Sequence, residues 1–95
     1  VIPKKHEPDF EKLDENTYSH TMQIVQHVAR AIDKAIHPKK VGMFIAGWDV
    51  PHTHVHVVPM QDYHDITSKR LLENARDNPD ADELNETATK IVQAL

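Results

Sequence analysis

The sequence predicts an α+β domain, with one long helix lying across an antiparallel sheet and an amphipathic helix at the C-terminus. Three observations lead to this fold class. Apolar residues recur at helical spacing from about Asp14 to Ile36, Val41–Ala46 is a short apolar run, and Val50–Pro59 alternates with a period of two. Because the helix precedes two neighbouring strands, antiparallel pairing with the helix packed on one face is the expected arrangement.

The long helix is predicted from apolar residues spaced by four and three. Asp14 is expected to cap its N-terminus, and Glu15 favours the positive end of the helix dipole. Pro38 ends the helix, since the residue before a proline avoids helical geometry. The face expected to be buried comprises Tyr18, Met22, Val25, Ala29, Ile32 and Ile36, flanked by Ile24, Val28, Ala31 and Ala35.

The other elements follow from composition and turn residues. Val41–Ala46 is expected to be a buried strand, and residues 47–49 a turn before the next strand begins at Val50. After Pro59 the chain becomes polar, with a short helix expected near Thr67–Asn74. Asp80–Leu95 is predicted to be the closing amphipathic helix, whose apolar face comprises Leu84, Ala88, Ile91, Val92 and Leu95.

The most informative segment contains three histidines at a spacing of two: His52, His54 and His56, called the histidine row below. Alternate residues of a strand share a face, so these side chains should project together, roughly 6.5 Å apart at the usual rise of a strand. A phosphate group fits against such a row. The middle histidine, His54, is the best placed to attack it.

The histidine row also resembles a known family. His-x-His-x-His followed by two apolar residues, preceded by Val50-Pro51 and followed by Pro59, is similar to the motif of the histidine triad (HIT) superfamily of nucleotide hydrolases and nucleotidyl transferases. Residues 1–6 (VIPKKH) resemble the strand and turn that open these domains. The resemblance is to bacterial-type members of the family. It implies that residues 1–60 form a HIT domain and that residues 61–95 form a C-terminal extension with a helix at about 82–95.

The resemblance implies a longer protein, because relatives carry several tens of residues before the position of Val1, including first strands and much of the nucleoside pocket. It also implies a reaction at the α-phosphate of a nucleotide conjugate, with a phosphoramidate or a dinucleoside polyphosphate as substrate and adenosine as the favoured nucleoside. His54 would form a covalent nucleotidyl-histidine, with its second ring nitrogen held by a backbone carbonyl. His56 would contact the phosphate, and His52 would orient the histidine row.

The turn before the histidine row departs from the commoner family pattern. Gly47, Trp48, Asp49 and Val50 are the expected substrate-binding residues, but many relatives have Gly-Gln followed by Ser or Thr in a longer loop. Trp48 and Asp49 cannot reproduce the phosphate contacts of Gln and Ser. Backbone N–H groups of the turn could still bind phosphate oxygens.

Two alternatives to a HIT enzyme remain open. Two of the three histidines could bind zinc together with a group from elsewhere in the chain, or the domain could bind nucleotides without catalysis. The HIT scheme requires no cofactor, although zinc or another divalent ion could bind. His20 and His27 lie among the polar residues of the long helix and are interpreted as surface residues. His6 and His37 are interpreted as turn or surface residues. His64 lies in the polar stretch after the histidine row and could approach the site, although its spacing does not indicate this.

Composition limits the remaining classes of function. The formal net charge of −4 argues against sequence-independent binding of nucleic acid, and we expect no sequence-specific nucleic-acid partner. The sequence has no cysteine, no apolar run long enough for a membrane span and no signal-peptide pattern, so a cytoplasmic location is expected. With 39% hydrophobic residues the core is thin, and we expect a homodimer formed through the Asp14–Ile36 helix and the Val41–Ala46 strand.

Overall fold

The computed structural model describes residues 1–67 and 79–95 of the chain. These residues form a 3₁₀ turn (Phe10–Lys12), helix α1 (Glu15–Ile36), strands β1 (Lys40–Ile45) and β2 (Val55–Met60), a short helix α2 (His64–Thr67) and helix α3 (Ala81–Ala94). β1 and β2 pair in antiparallel orientation, and α1 packs on both strands. The predicted α+β fold class is confirmed.

Helix α1 begins and ends as predicted. The side chain of Asp14 accepts a hydrogen bond from the N–H of Thr17 at 2.9 Å and another from Lys5 Nζ at 2.8 Å. These contacts hold the pKa of the Asp14 carboxyl well below its usual range, and the hydrogen bond from Lys5 has the largest effect. At the other end, His37 adopts left-handed backbone geometry with φ of 52°, and its N–H donates to Asp33 O at 3.0 Å. Pro38 follows and is buried.

The core lies between α1 and the sheet. Its most buried apolar residues in the described part of the chain are Val25, Ala31, Ile32 and Val55. The predicted buried face of α1 was partly wrong, because Tyr18 and Ile24 are 45% and 39% exposed. Two strands cannot cover the full width of that face. The interpretation of His20 and His27 as surface residues is confirmed, since both are exposed, as are the polar residues around them on α1: Asn16, Gln23, Arg30 and Lys34.

The opposite face of the sheet carries α2 at one end. A Cβ atom on Gly42 would lie 2.6 Å from Ile66 Cδ1 and would also collide with the side chain of Met60. Glycine at this position therefore lets α2 and the end of β2 pack closely over β1. The strand register places Phe44 opposite His56 and Ile45 opposite Val55.

The predicted strand from Val50 was wrong at its start, because β2 begins only at Val55. β1 ends at Ile45, the partner of Val55, so residues 50–54 have no strand of the hairpin beside them. Instead the N–H of His52 donates to Val50 O at 2.8 Å in a tight turn. β1 itself is shifted by one residue from the predicted Val41–Ala46.

Helix α3 closes the described chain within the predicted range. Asp80 caps it, accepting from the N–H of Glu83 at 2.9 Å, while Glu83 Oε2 accepts from the N–H of Asp80 at 3.2 Å. α3 packs on α1 but buries none of its residues fully, and Leu84, Val92 and Leu95 remain more than half exposed. The short helix expected near Thr67–Asn74 falls, apart from Thr67, outside the described residues.

Candidate active site

The histidine row is divided between two structural contexts. His56 lies within β2, whereas His52 and His54 lie in the extended segment just before it. Burial alternates as predicted for extended chain, because Thr53 and Val55 are buried while the three histidines are partly or largely exposed. The rings of His54 and His56 meet edge to face, with centroids 4.9 Å apart and planes at 77°. Neighbouring members of the row therefore share one face of the extended segment.

The ring of His54 has a defined orientation. Its Nδ1 lies 2.7 Å from the backbone carbonyl oxygen of His52. A carbonyl oxygen only accepts hydrogen bonds, so Nδ1 carries the proton in this contact. In the neutral ring the lone pair then resides on Nε2, which is the tautomer that a nucleophilic histidine requires.

His52 is held by the first residues of the chain. Its Nε2 donates to the carbonyl oxygen of Pro3 at 3.0 Å. The ring of His6 packs edge-on against it, with centroids 5.3 Å apart and planes at 89°. His52 therefore turns its ring toward the segment of residues 1–7, and its backbone carbonyl toward His54.

Residues 1–7, called the anchoring segment below, pair with the chain that carries His52 and His54. Val1 and Val55 exchange two backbone hydrogen bonds, each 2.8 Å long. Farther along, the N–H and the hydroxyl of Thr53 both donate to Glu7 O, at 2.7 Å and 2.8 Å. These bonds take the place of the sheet pairing that β1 does not extend to this part of the chain.

His56 is held instead by its neighbour in the hairpin. The ring of Phe44 stacks on it with centroids 4.4 Å apart and planes at 11°. Although His56 is exposed overall, partial burial of its ring is the main cause that lowers its pKa below the ordinary 6.5, and the nearby His54 and Val1 amine lower it further. His56 is therefore mostly neutral at pH 7 and can donate one ring N–H to an anion.

A pocket of about 390 Å³ opens over the histidine row. Its lining consists of Val1, Ile2, Val50, His52, His54, Val55 and His56. Of the four predicted substrate-binding residues, Val50 alone is part of this lining in the described chain. Gly47, Trp48 and Asp49 lie in the exposed link before it, and Trp48 is 94% exposed. The pocket brings the three histidines together with the first two residues of the chain.

The arrangement can be compared with known proteins. A family model for the HIT domain matches residues 1–63, which is more than half of the 95 residues. The chain belongs to the HIT family. A solved histidine triad (HIT) protein from Sinorhizobium meliloti 1021 has a similar fold, with a TM-score of 0.76 and 20% identity over 94% of this chain and 67% of that one. At this identity the likeness shows the fold, which confirms the HIT-like architecture predicted from the sequence.

HIT proteins are generally hydrolases or transferases. Among the other histidines, His6 packs against His52, and the rest are not part of the pocket lining. His20 and His27 are exposed on α1, His37 follows its last turn, and His64 begins α2 with an exposed side chain. Within residues 1–67 and 79–95, no three His, Cys, Asp or Glu side chains converge in a way that could hold a metal ion. None of the helices in those residues combines the length and apolarity of a membrane-spanning segment.

Several residues around the histidine row are not predicted as site residues from the sequence. Phe44 is one of them, because its sequence context resembles that of any apolar residue in a strand. Thr53 has no sequence signal beyond that of a β-branched residue in extended chain, and Glu7 has none. The similarity of residues 1–6 to an opening strand could have indicated pairing with the histidine row, since neighbouring strands of such sheets are expected to pair.

Proposed function

We propose that this HIT protein is a nucleotide hydrolase or nucleotidyl transferase that acts at the α-phosphate of a nucleotide conjugate. The observation that carries the proposal is the 2.7 Å hydrogen bond from His54 Nδ1 to the His52 carbonyl. It favours the tautomer with a free lone pair on Nε2, on a histidine that lines a pocket of about 390 Å³. That pocket is open to a ligand of nucleotide size.

The proposed reaction proceeds in two displacements. The Nε2 lone pair of His54 attacks the α-phosphorus, a bond from nitrogen to phosphorus forms, and the bond from phosphorus to the leaving group breaks. The leaving group departs with the bonding electron pair and takes up a proton. Water or an acceptor alcohol or amine then attacks the same phosphorus and loses its proton, and His54 leaves as the neutral ring.

The other two histidines have supporting roles in this proposal. His56 donates a ring N–H to a non-bridging phosphate oxygen, where negative charge grows in the transition state. Its neutrality at pH 7 suits it to donate through one nitrogen without a cation beside the attacking ring of His54. His52 positions His54 through its backbone carbonyl and is itself fixed by Pro3.

The proposed substrates are adenosine phosphoramidates or dinucleoside polyphosphates. Backbone N–H groups of residues 47–50 are available for the phosphate, since this link is exposed and follows β1 directly. An anionic Asp49 would repel a phosphate, so we expect its side chain to stay turned toward solvent. The scheme requires no cofactor, and zinc or another divalent ion would be an accessory at most.

Activity on a fluorogenic adenosine phosphoramidate in the presence of EDTA tests the proposal. Turnover with EDTA, together with an adenylyl adduct on wild-type protein after rapid acid quench, would support it. Turnover that EDTA abolishes would favour the zinc-binding alternative. AMP binding without turnover would favour a non-catalytic nucleotide-binding module.

We also propose that the protein is a homodimer formed through α1 and β1. A groove of about 440 Å³ lies between them, lined in part by Met22, Ala29, Val41 and Met43. Met43 is 52% exposed, and the outer edge of β1 has no partner strand in the described part of the chain. An unpaired edge next to an apolar groove favours a second copy. Sedimentation at micromolar concentration tests this, and a monomer would contradict it.

A further inference from the structure

The peptide group between His52 and Thr53 is hydrogen-bonded at both ends. Its carbonyl oxygen accepts from His54 Nδ1 at 2.7 Å, and its N–H donates to Glu7 O at 2.7 Å. A trans peptide group is planar, with its N–H and C=O pointing in opposite directions. Fixing the N–H on Glu7 therefore fixes the direction in which the carbonyl meets the His54 ring.

The hydroxyl of Thr53 reinforces this anchor. Oγ1 donates to the same carbonyl oxygen of Glu7 at 2.8 Å, and Thr53 is only 1% exposed. Two donors from one residue hold Glu7 O in one position, away from competing water. Hydrogen bonds in series also polarise one another, so the bond to Glu7 strengthens the carbonyl as an acceptor for His54.

Neither strand pairing nor volume accounts for the hydroxyl. Thr53 precedes β2, so it has no partner in β1, and valine would fill the same space with a similar preference for extended chain. The backbone N–H alone already satisfies the Glu7 carbonyl. What the hydroxyl adds is a second constraint on the position of the peptide that orients His54.

We propose that Thr53 is a positioning residue for the nucleophile. Its hydroxyl locks the His52–Thr53 peptide onto Glu7, and this peptide holds His54 as the tautomer protonated on Nδ1, with Nε2 free to attack. The inference rests on the proposed function insofar as it assigns the attack to His54. The claim about the ring itself can be tested without any reaction.

Three variants separate the hydroxyl from the volume of the side chain. Thr53→Val removes the hydroxyl and keeps the shape, and Thr53→Ser keeps the hydroxyl and removes a methyl group. Thr21→Val is the matched control, because Thr21 is also a buried threonine, 6% exposed, but lies in α1. All rates are compared at a temperature well below the lowest thermal midpoint of the set.

The first measurement is the single-turnover rate at which an adenosine phosphoramidate forms the adenylyl adduct on His54. Small displacements of a reacting group have large kinetic effects, and we expect Thr53→Val to slow the step on the order of tenfold with little change in KM. The rate of Thr53→Ser should remain within about threefold of the wild-type rate, and the rate of Thr21→Val should equal the wild-type rate. Loss of the rate in Thr53→Ser equal to that in Thr53→Val would overturn the role of the hydroxyl.

The second measurement is the ¹⁵N spectrum of the His54 ring, assigned by comparison with His54→Ala. Wild type should show a protonated Nδ1 and a bare Nε2 at neutral pH, and Thr53→Val should show shifts averaged between both tautomers. An unchanged spectrum and an unchanged rate in Thr53→Val would overturn the proposal. If wild type forms no adduct but the ring responds as expected, the proposed function fails and the positioning role stands.

Discussion

The two ends of the histidine row are held by different parts of the molecule. His52 and His54 precede β2 and depend on the anchoring segment of residues 1–7, through hydrogen bonds that span 46 to 54 positions of sequence. His56 lies inside β2 and depends on Phe44, its direct partner across the β1–β2 hairpin. One motif is therefore built from one long-range and one short-range set of contacts.

This difference suggests that the proposed nucleophile, His54, and the proposed phosphate contact, His56, can be altered separately. A change in the anchoring segment reaches His54 through the His52–Thr53 peptide, whereas a change in β1 reaches His56 through ring stacking. The two sets of contacts meet where the rings of His54 and His56 touch, and at Val55, which bonds to Val1 and lies opposite Ile45 in β1. Substitutions at each end should therefore give distinct effects on rate, stability and titration.

The largest effect is expected at His54. His54→Ala should lower turnover by about 10⁴-fold or more, because loss of the nucleophile removes the covalent route altogether. Nucleotide binding and the fold should persist, since the chain pairs through its backbone at this position. Steady-state kinetics and mass spectrometry after acid quench are the measurements, with no adenylyl adduct expected in the variant.

The control for His54→Ala is an equilibrium titration with AMP and a circular dichroism spectrum, which should both resemble those of wild type. Activity near the wild-type level in the variant would mean that the histidine triad mechanism is wrong for this protein.

The next effect concerns the other end of the row. His56→Ala should lower kcat by about 10²–10³-fold, the usual range for one donor to a developing oxyanion. The adduct should still form, only slowly, because the nucleophile and its anchoring segment are untouched. Single-turnover kinetics measures this. A loss as large as that of His54→Ala would show that the two ends do not act separately.

A third substitution probes the anchoring segment mainly through stability. His52→Ala removes the donor to Pro3 O, and Pro3 is a buried residue, so its carbonyl would lose this partner. An unsatisfied buried carbonyl costs about 1–3 kcal/mol of the free energy of unfolding. Urea denaturation measures the loss, with His20→Ala on the exposed face of α1 as the control. Equal stability of both variants would argue against the anchor.

The smallest effect is expected in β1. The pKa of His56 lies below 6.5 chiefly through burial, so Phe44→Leu, which uncovers one face of the ring, should raise it toward 6.5. The pKa of His56 is lower in the folded than in the unfolded protein. The free energy of unfolding therefore decreases as the pH falls from 6.5 toward the pKa of the folded state. NMR titration of the ring protons measures the shift, with Phe44→Tyr as the control that keeps the stack. His54 and the Val1 amine also face this ring and are unchanged in both variants. No shift in Phe44→Leu would remove Phe44 as its cause.

Much of the fold could be predicted from local signals. Asp14 is predicted as a cap, and the period of four and three gives α1 its bounds, because these features depend on neighbouring residues alone. The start of β2 could not be predicted the same way. The alternation that marks extended chain continues through residues 52–54, but which segment lies beside them depends on contacts distant in sequence.

The site shows the same limit. The spacing of the histidines predicted that they share a face, and their roles in catalysis stay predictions. Nothing local distinguishes Phe44 from any other strand residue or Thr53 from any β-branched one, since their contacts with His56 and Glu7 arise only when the chain has folded. Residues that orient a reactive group are therefore harder to find from sequence than the reactive group itself.

Trp48 has a practical consequence for experiments on this protein. It is the sole tryptophan of the sequence, it is 94% exposed, and it lies in the link between β1 and the histidine row. Its fluorescence emission in the folded protein should already resemble that of an indole in water, so unfolding will change the spectrum little. A ligand or partner that covers the link would shift the emission to shorter wavelength. The tryptophan fluorescence of this protein should therefore report on occupancy of this link rather than on folding.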